Sequence, residues 1–274
     1  MNNDHDDRQE IIGDFLTWVR QNEAAGMEWF LDEGSAPVAE TPSPAGTTAE
    51  PDDPFLEICN QFVAETLPLI ERQPSVRKPG PSAEDKAAAL AALRDEVLPC
   101  TACPLHETRH STVFGAGNPD AEIVFVGEAP GRDEDIQGEP FVGRSGKLLT
   151  KILSAIGYGR DEVFICNILK CRPPNNRDPQ PAEVAACESH LKRQLAILDP
   201  RVICCLGRVA AQTLLGTDAS LKRLRQTVHF YEGIPVMATY HPAALLRNPD
   251  WKRDTWNDVR KMRALIDALK AGES

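Results

Sequence analysis

The sequence predicts a three-layer α/β/α sandwich, a parallel sheet between two layers of helices, set behind a long N-terminal extension of different composition. Two observations predict it. After Ala83, short apolar runs alternate regularly with helix-forming stretches, the pattern of strands buried on both faces by crossover helices. The segments that break this regularity, GEAPGRDED, CNILKCRPPNNR and YHPAALLRNP, fall after strand-like runs, and ligand sites in such sheets lie beyond the C-terminal ends of the strands.

The elements follow in order. Residues 10–31 place Ile11, Phe15, Trp18 and Val19 at helical spacing, which predicts a short amphipathic helix. From Asp32 to Ser82 the chain is rich in Pro, Ala, Glu, Thr and Ser, interrupted by FLEICNQFVAETLPLIE. That composition reads as a tether with one or two short helices, either an idle linker or a tail that binds a protein partner. A helix over 84–97 leads into the first cysteine pair. Strand 121–129, helix 145–157, strand 162–170, helix 181–198, strand 201–207 and helix 208–216 follow, then a hairpin over 228–240 and a helix over 251–270. No internal repeat is present. The division is therefore an extension, 1–82, and a domain, 83–274, within the size that one α/β unit fills.

Charge separates the same two parts. The chain carries −11 overall, which argues against a nucleic-acid partner, since DNA binds through Lys and Arg. Residues 1–98, however, hold 7 Lys/Arg against 20 Asp/Glu, leaving 23 against 21 for residues 99–274. The acidity belongs to the extension, and the domain is nearly neutral. No run approaches the about 18 to 20 apolar residues of a membrane span, and the acidic N-terminus lacks the features of a signal peptide. A cytoplasmic protein is expected.

Eight cysteines in such a chain point to metal ligands or buried thiols rather than disulfides. Cys100, Cys103, Cys171 and Cys187 are spaced C-x2-C-x67-C-x15-C, a set able to close a site of four thiolates. Spacing alone leaves zinc and an iron–sulfur cluster both open. Cys59, Cys166, Cys204 and Cys205 read as ordinary buried thiols.

The loop 127–146 leaves a strand and enters a helix, as phosphate-binding loops do. It is not a P-loop: Leu148 follows Gly146-Lys147 where Ser or Thr is needed, and Phe141 stands where the first Gly belongs. Its carboxylates Glu128, Asp133, Glu134 and Asp135 suit positioning of a water or a metal, and Phe141 offers a ring to a flat ligand.

Taken together, GEAPGRDEDIQGEPFVGRSGKLL, NILKCRPPNNR, the four-cysteine spacing and HPAALLRNP resemble the family-four uracil-DNA glycosylases, the bacterial and archaeal iron–sulfur members of their superfamily. The resemblance covers roughly residues 85–270. It implies a central four-stranded parallel sheet, a structural [4Fe–4S] cluster on Cys100, Cys103, Cys171 and Cys187, and removal of uracil from single- or double-stranded DNA by hydrolysis of its bond to the sugar, the opening step of base excision repair. A monomer in the bacterial cytosol is expected. The resemblance also assigns roles. A stacked base must be rotated into a pocket before its sugar carbon can be attacked. Phe141 suits stacking on the base, and the Asn167 amide offers both donor and acceptor to the uracil edge. His241 is the candidate donor to O2, where negative charge develops. Glu128 and Glu134 lie near the sugar and the attacking water, although Ala129 stands where the best-known uracil glycosylases carry a water-activating Asp. Asn175 or Asn176 is expected on the opposite pocket wall. Leu245, Leu246 and Arg247 would fill the gap left by the base and hold a phosphate, with Arg144, Lys147, Lys170, Arg172 and Arg177 as a basic rim.

Competing readings are a uracil binder trapped covalently on its product, a DNA-binding module without catalysis, and an enzyme for free uracil derivatives. The first lacks its basic, His-rich insertion between Cys171 and the next helix. The second would be favoured by loss of Glu128, Asn167 or His241, all present. The third is disfavoured by the wedge and basic rim.

Overall fold

The computed structural model describes residues 54–73 and 81–272; the helix expected over 10–31 lies outside them. Helices α1 (Pro54–Glu71) and α2 (Ala83–Val97) precede strands β1 (Ala116–Gly117) and β2 (Ile123–Gly127). Helices α3 (Arg132–Gln137) and α4 (Arg144–Ala155) lead to β3 (Phe164–Asn167), α5 (Pro181–Leu198), β4 (Val202–Leu206), α6 (Arg208–Leu215) and α7 (Leu221–Leu224). Strands β5 (His229–Tyr231) and β6 (Ile234–Thr239) and helices α8 (Pro242–Arg247) and α9 (Trp251–Ala271) complete the chain.

The sheet has six strands in the order β1-β3-β2-β4-β6-β5. Its four central strands run parallel, as expected, and one short antiparallel strand is added at each edge. The antiparallel edges account for the difference from the four-stranded expectation: β1 is two residues long and carries no apolar run to announce it.

Alternation along the central strands builds two cores. Ile123 and Phe125 of β2, Ile165 of β3 and Cys204 of β4 face one layer, packed by Leu149 and Leu153 of α4, Leu245 of α8 and Val259 and Leu265 of α9. Val124, Val126, Phe164, Cys166 and Cys205 face the other, packed by α2, α5 and α6. Both faces of the sheet are therefore dry, so the strands read as unbroken apolar runs. Several helix starts are fixed by local chemistry. Ser82 caps α2 in a reciprocal pair with Asp85, and α5 opens on Pro181 with Gln180 and Glu183 closing the same kind of box.

Helix α1, which the sequence reading assigned to the extension, lies against α9. Phe62, Leu67 and Ile70 pack on the first core, and the Arg260 guanidinium sits 4.2 Å over the Phe55 ring.

Register aligns the strand ends. Gly127 pairs with Asn167 and Leu206 with Thr239, so the chain leaves the sheet on one edge at Glu128, Ile168, Gly207 and Tyr240. Strand β2 has β3 on one side and β4 on the other, which makes this edge the topological switch point where such sheets bind ligands.

Candidate active site

Three side chains converge above the end of β2. Asn167 closes β3 with only 2% of its surface exposed, and its side-chain oxygen has no hydrogen-bond partner. Phe141 is buried beside it, and the Phe141 and His241 rings lie 5.4 Å apart between centroids, tilted by 33°. Gly127 makes this convergence possible. A Cβ there would stand 2.3 Å from the Asn167 Oδ1 and 2.7 Å from the Phe141 Cζ. The arrangement sets an apolar ring beside an unsatisfied amide oxygen at the strand end, and a buried polar atom left unpaired is costly unless a ligand completes it.

Phe141 is held there under strain. Its φ of 53° is a left-handed conformation that non-glycine residues rarely adopt and that costs on the order of 1–3 kcal/mol. Two contacts keep it: Gly146 leaves room for the Phe141 carbonyl, which would lie 1.8 Å from a Cβ, and Glu134 pins the following residues. The Glu134 Oε1 accepts the backbone N–H of Val142 at 3.0 Å and of Gly143 at 2.9 Å. Its carboxylate thus shapes the loop that carries Phe141. Asp135 performs a similar task elsewhere, accepting from the His110 and Ser111 N–H groups and tying the acidic loop to the segment after Cys103.

His241 caps α8, its Nδ1 accepting the Ala243 N–H at 3.1 Å. Burial, with the nearby Arg247 charge, pushes its pKa down to about 4. At neutral pH the ring is therefore uncharged and carries its proton on Nε2. The element before it is braced: Thr239 and Arg225 both donate to Asp258 of α9, at 2.7 and 2.6 Å.

Glu128, half-buried just past β2, has no hydrogen-bond partner for its carboxylate among the described residues. Burial first, then the Asp178 charge, raises its pKa, and Arg208 opposes them. Asp178 and Arg208 pair with each other at 3.1 Å on the exposed rim.

The four predicted ligand cysteines come together. Cys100, Cys103, Cys171 and Cys187 line one small cavity, alongside Arg109 and His190. Among the described residues, no three His, Cys, Asp or Glu side chains converge on a point where a single ion would sit. N–H donors already face the sulfurs: Arg109 reaches the Cys171 Sγ at 3.2 Å, the Lys170 backbone reaches Cys187 at 3.3 Å, and the His190 Nε2 is 3.4 Å from Cys100. Burial raises the Cys171 thiol to about 11 against the opposing pull of Arg109, and raises that of Cys187 too. A bound metal would displace these protons.

Other predicted site residues are placed differently. Asn175 and Asn176 form an exposed turn with left-handed backbones, and Asn176 accepts from the Arg172 Nε at 2.7 Å. Two residues lie inside rather than at the mouth. Leu245 is 0% exposed and belongs to the core beneath the sheet, because helical spacing turns it inward while Arg247 faces solvent; it cannot act as a wedge without leaving that core. Lys170 is buried, its ammonium on the Asn167 carbonyl, and is not part of a basic rim. Arg177 is engaged in a two-pronged pair with Glu183. The sequence reading missed Gly127, Arg109 and His190. Only Gly127, a glycine ending an apolar strand, left a sequence signal.

A doubly wound sheet carries an aromatic ring, an amide with an unpaired oxygen and a neutral imidazole at its switch point. The model of the uracil DNA glycosylase superfamily matches residues 114–260, and the chain belongs to that superfamily. Among its relatives, the type-4 uracil-DNA glycosylase of Archaeoglobus fulgidus is 49% identical over 178 residues, 62% of this chain and 89% of that protein. That of Thermotoga maritima is 46% identical over 176 residues, 63% and 92% of the two chains. The type-5 uracil-DNA glycosylase of Thermus thermophilus is 32% identical over 152 residues, 47% of this chain and 68% of the relative.

Proposed function

We propose that this chain removes uracil from DNA by hydrolysing the bond between the base and its sugar, so starting base excision repair. The observation that carries the reading is the buried, unpartnered Oδ1 of Asn167 beside Phe141. Uracil turned out of the stack rests on Phe141 and gives its N3–H to that oxygen, while the Asn167 amide donates to O4. Cytosine sets its own amino donor against the amide's donor and is refused.

As the bond to the base breaks, the electron pair moves into the uracil ring and O2 gains negative charge. The Nε2–H of neutral His241 meets that charge, an interaction strongest in the transition state. Water attacks the sugar carbon, leaving its oxygen there as a hydroxyl, and its other proton ends on the departing uracil anion. Glu128, unpaired and half-buried at the strand end, is the carboxylate assigned to orient that water. Glu134 acts through the loop, keeping Phe141 in place. The exposed turn of Asn175 and Asn176 is assigned to the opposite wall, and the exposed Arg247 to a backbone phosphate.

A [4Fe–4S] cluster on Cys100, Cys103, Cys171 and Cys187 is the group that fits the thiol cavity. N–H donors to the sulfurs from Arg109 and from the Lys170 backbone suit a thiolate-held cluster, whose sulfurs accept such bonds. Bound there, such a cluster would cross-link the three segments that carry Cys100 and Cys103, Cys171, and Cys187. Residues 83–274 form the glycosylase domain, with α1 of the extension packed on its core; the rest of the acidic extension, within 1–82, is assigned to a protein partner, with the enzyme acting as a monomer in the cytosol. No described helix is long and apolar enough to cross a membrane.

The test is an end-labelled oligonucleotide bearing one uracil, incubated with the protein and then treated with alkali, with His241→Ala alongside. Scission by the wild type, strongly reduced in the variant, is expected. Intact DNA after incubation with folded, iron-loaded protein would overturn the reading in favour of a binding module.

A further inference from the structure

Lys170 is among the most deeply buried side chains of the molecule, 1% exposed. Its Nζ donates to the Asn167 carbonyl at 2.7 Å, closing the bend between the base-facing amide and Cys171. Its backbone N–H donates to the Cys187 sulfur at 3.3 Å, and Lys170 is among the residues that line the thiol cavity. One residue therefore touches both the strand end that presents Asn167 and the wall of the four-thiol site.

An ammonium has three donors, and here one is used. No carboxylate of the described residues pairs with it. A buried cation without a counter-charge is strongly destabilising, so the charge that keeps Lys170 inside must come from the cavity. Four thiolates around an oxidised [4Fe–4S] core carry a net charge of about −2. Two cations border the site: Lys170, and Arg109, whose Nη1 bridges the Cys100 carbonyl at 2.7 Å and the Cys171 sulfur at 3.2 Å. The balance is complete only when the cavity is filled. The Asn167 side-chain oxygen has no partner of its own, so the aim of the amide depends on its backbone, held by pairing with Gly127 on one side and by Lys170 on the other.

We propose that Lys170 is a positioning residue for uracil recognition: the negative charge of the thiolate-held group keeps its ammonium in the interior, and that ammonium fixes the bend presenting Asn167. The inference rests on the reading of the pocket and the cavity given above.

The experiment uses the full-length, cluster-loaded protein, with Lys170→Met, Lys170→Arg and Arg109→Gln variants. Two quantities are read: the reduction potential of the cluster, and KM and kcat on a single-uracil oligonucleotide. Lys170→Met is expected to move the potential to more negative values, since a neighbouring cation favours the added electron, and to lower kcat/KM about tenfold, mainly through KM, as for loss of one buried charge-assisted hydrogen bond. Arg109→Gln is expected to move the potential alike and leave KM unchanged. Lys170→Arg, which keeps the cation, is expected to restore the potential and part of the recognition. A Lys170→Met protein with unaltered potential, or with KM within about twofold of wild type, overturns the proposal. If that variant is recovered without iron, Lys170→Arg decides: wild-type potential with partial recognition supports the proposal, and loss of both overturns it, because shape rather than charge is then what the position requires. Wild-type protein that lacks iron or leaves uracil in place would instead overturn the underlying functional reading, whatever the variants do.

Discussion

The backbone N–H of Ala243 donates to the Nδ1 of His241 at 3.1 Å, and this one bond decides which imidazole nitrogen faces the pocket with a proton. With the pKa lowered to about 4, the ring is a neutral donor at neutral pH and well below it. Titration of His241 is thus not expected to shape kcat/KM until the pH falls toward about 4. The acid limb should belong to Glu128, whose pKa burial raises, and Glu128→Gln should flatten it as well as lower the rate. A profile of kcat/KM from neutral pH downward checks this; a limb at the ordinary histidine value that survives in Glu128→Gln would refute it. The stability sign follows. Native His241 binds fewer protons than the unfolded chain between about 4 and 6.5, so its contribution is present above that window and lost as pH falls through it. His241→Ala should reduce that slope in urea melts.

Gly127→Ala tests the pocket without altering any reacting group. The strand conformation tolerates alanine, but its Cβ would overlap Asn167 Oδ1 and the Phe141 ring. We expect a loss of at least about a hundredfold in kcat/KM, as both groups are pushed from their productive positions, with a far smaller change in Tm. Equal activity would show that the pocket does not form as described.

Cys171→Ser should lower iron content and destabilise the domain, since binding energy at such a site is folding energy. Iron-to-protein ratio and thermal unfolding, with and without a chelator, read this. A variant with wild-type Tm and no iron would remove the cluster from the architecture.

Leu245 and Arg247 separate packing from DNA contact. Leu245→Ala should cost about 2–5 kcal/mol of stability, as buried leucines do. Arg247→Ala should leave Tm within a degree or two, yet weaken DNA binding and reduce the salt slope by about one. Binding titrations at several salt concentrations, beside denaturant melts, distinguish the two.

Helix α1 shows where composition misleads. Residues 54–71 lie in an acidic, Pro-rich region that reads as tether, yet Phe62, Leu67 and Ile70 bury one face against the first core and Thr66 is buried with them. The apolar spacing within FLEICNQFVAETLPLIE was visible; the surface it rests on, α9, comes almost two hundred residues later and could not be paired with it from sequence.

The sequence by itself determined the layer order and the parallel core, because apolar runs between helices are local; spacing singled out the four cysteines, and the resemblance to a family, rather than any local pattern, pointed to Phe141, Asn167 and His241. Tertiary structure alone decided what each neighbour does. The Glu134 carboxylate became a loop staple because Val142 and Gly143 present their N–H groups to it. Leu245 became core because α8 turns it toward the sheet. Lys170, one position from a cysteine and written like a rim cation, went inside because the bend after β3 directs it between Asn167 and the thiol cavity. Whether a charge faces water or a buried partner depends on groups far away in sequence, and burial is what sets its energy.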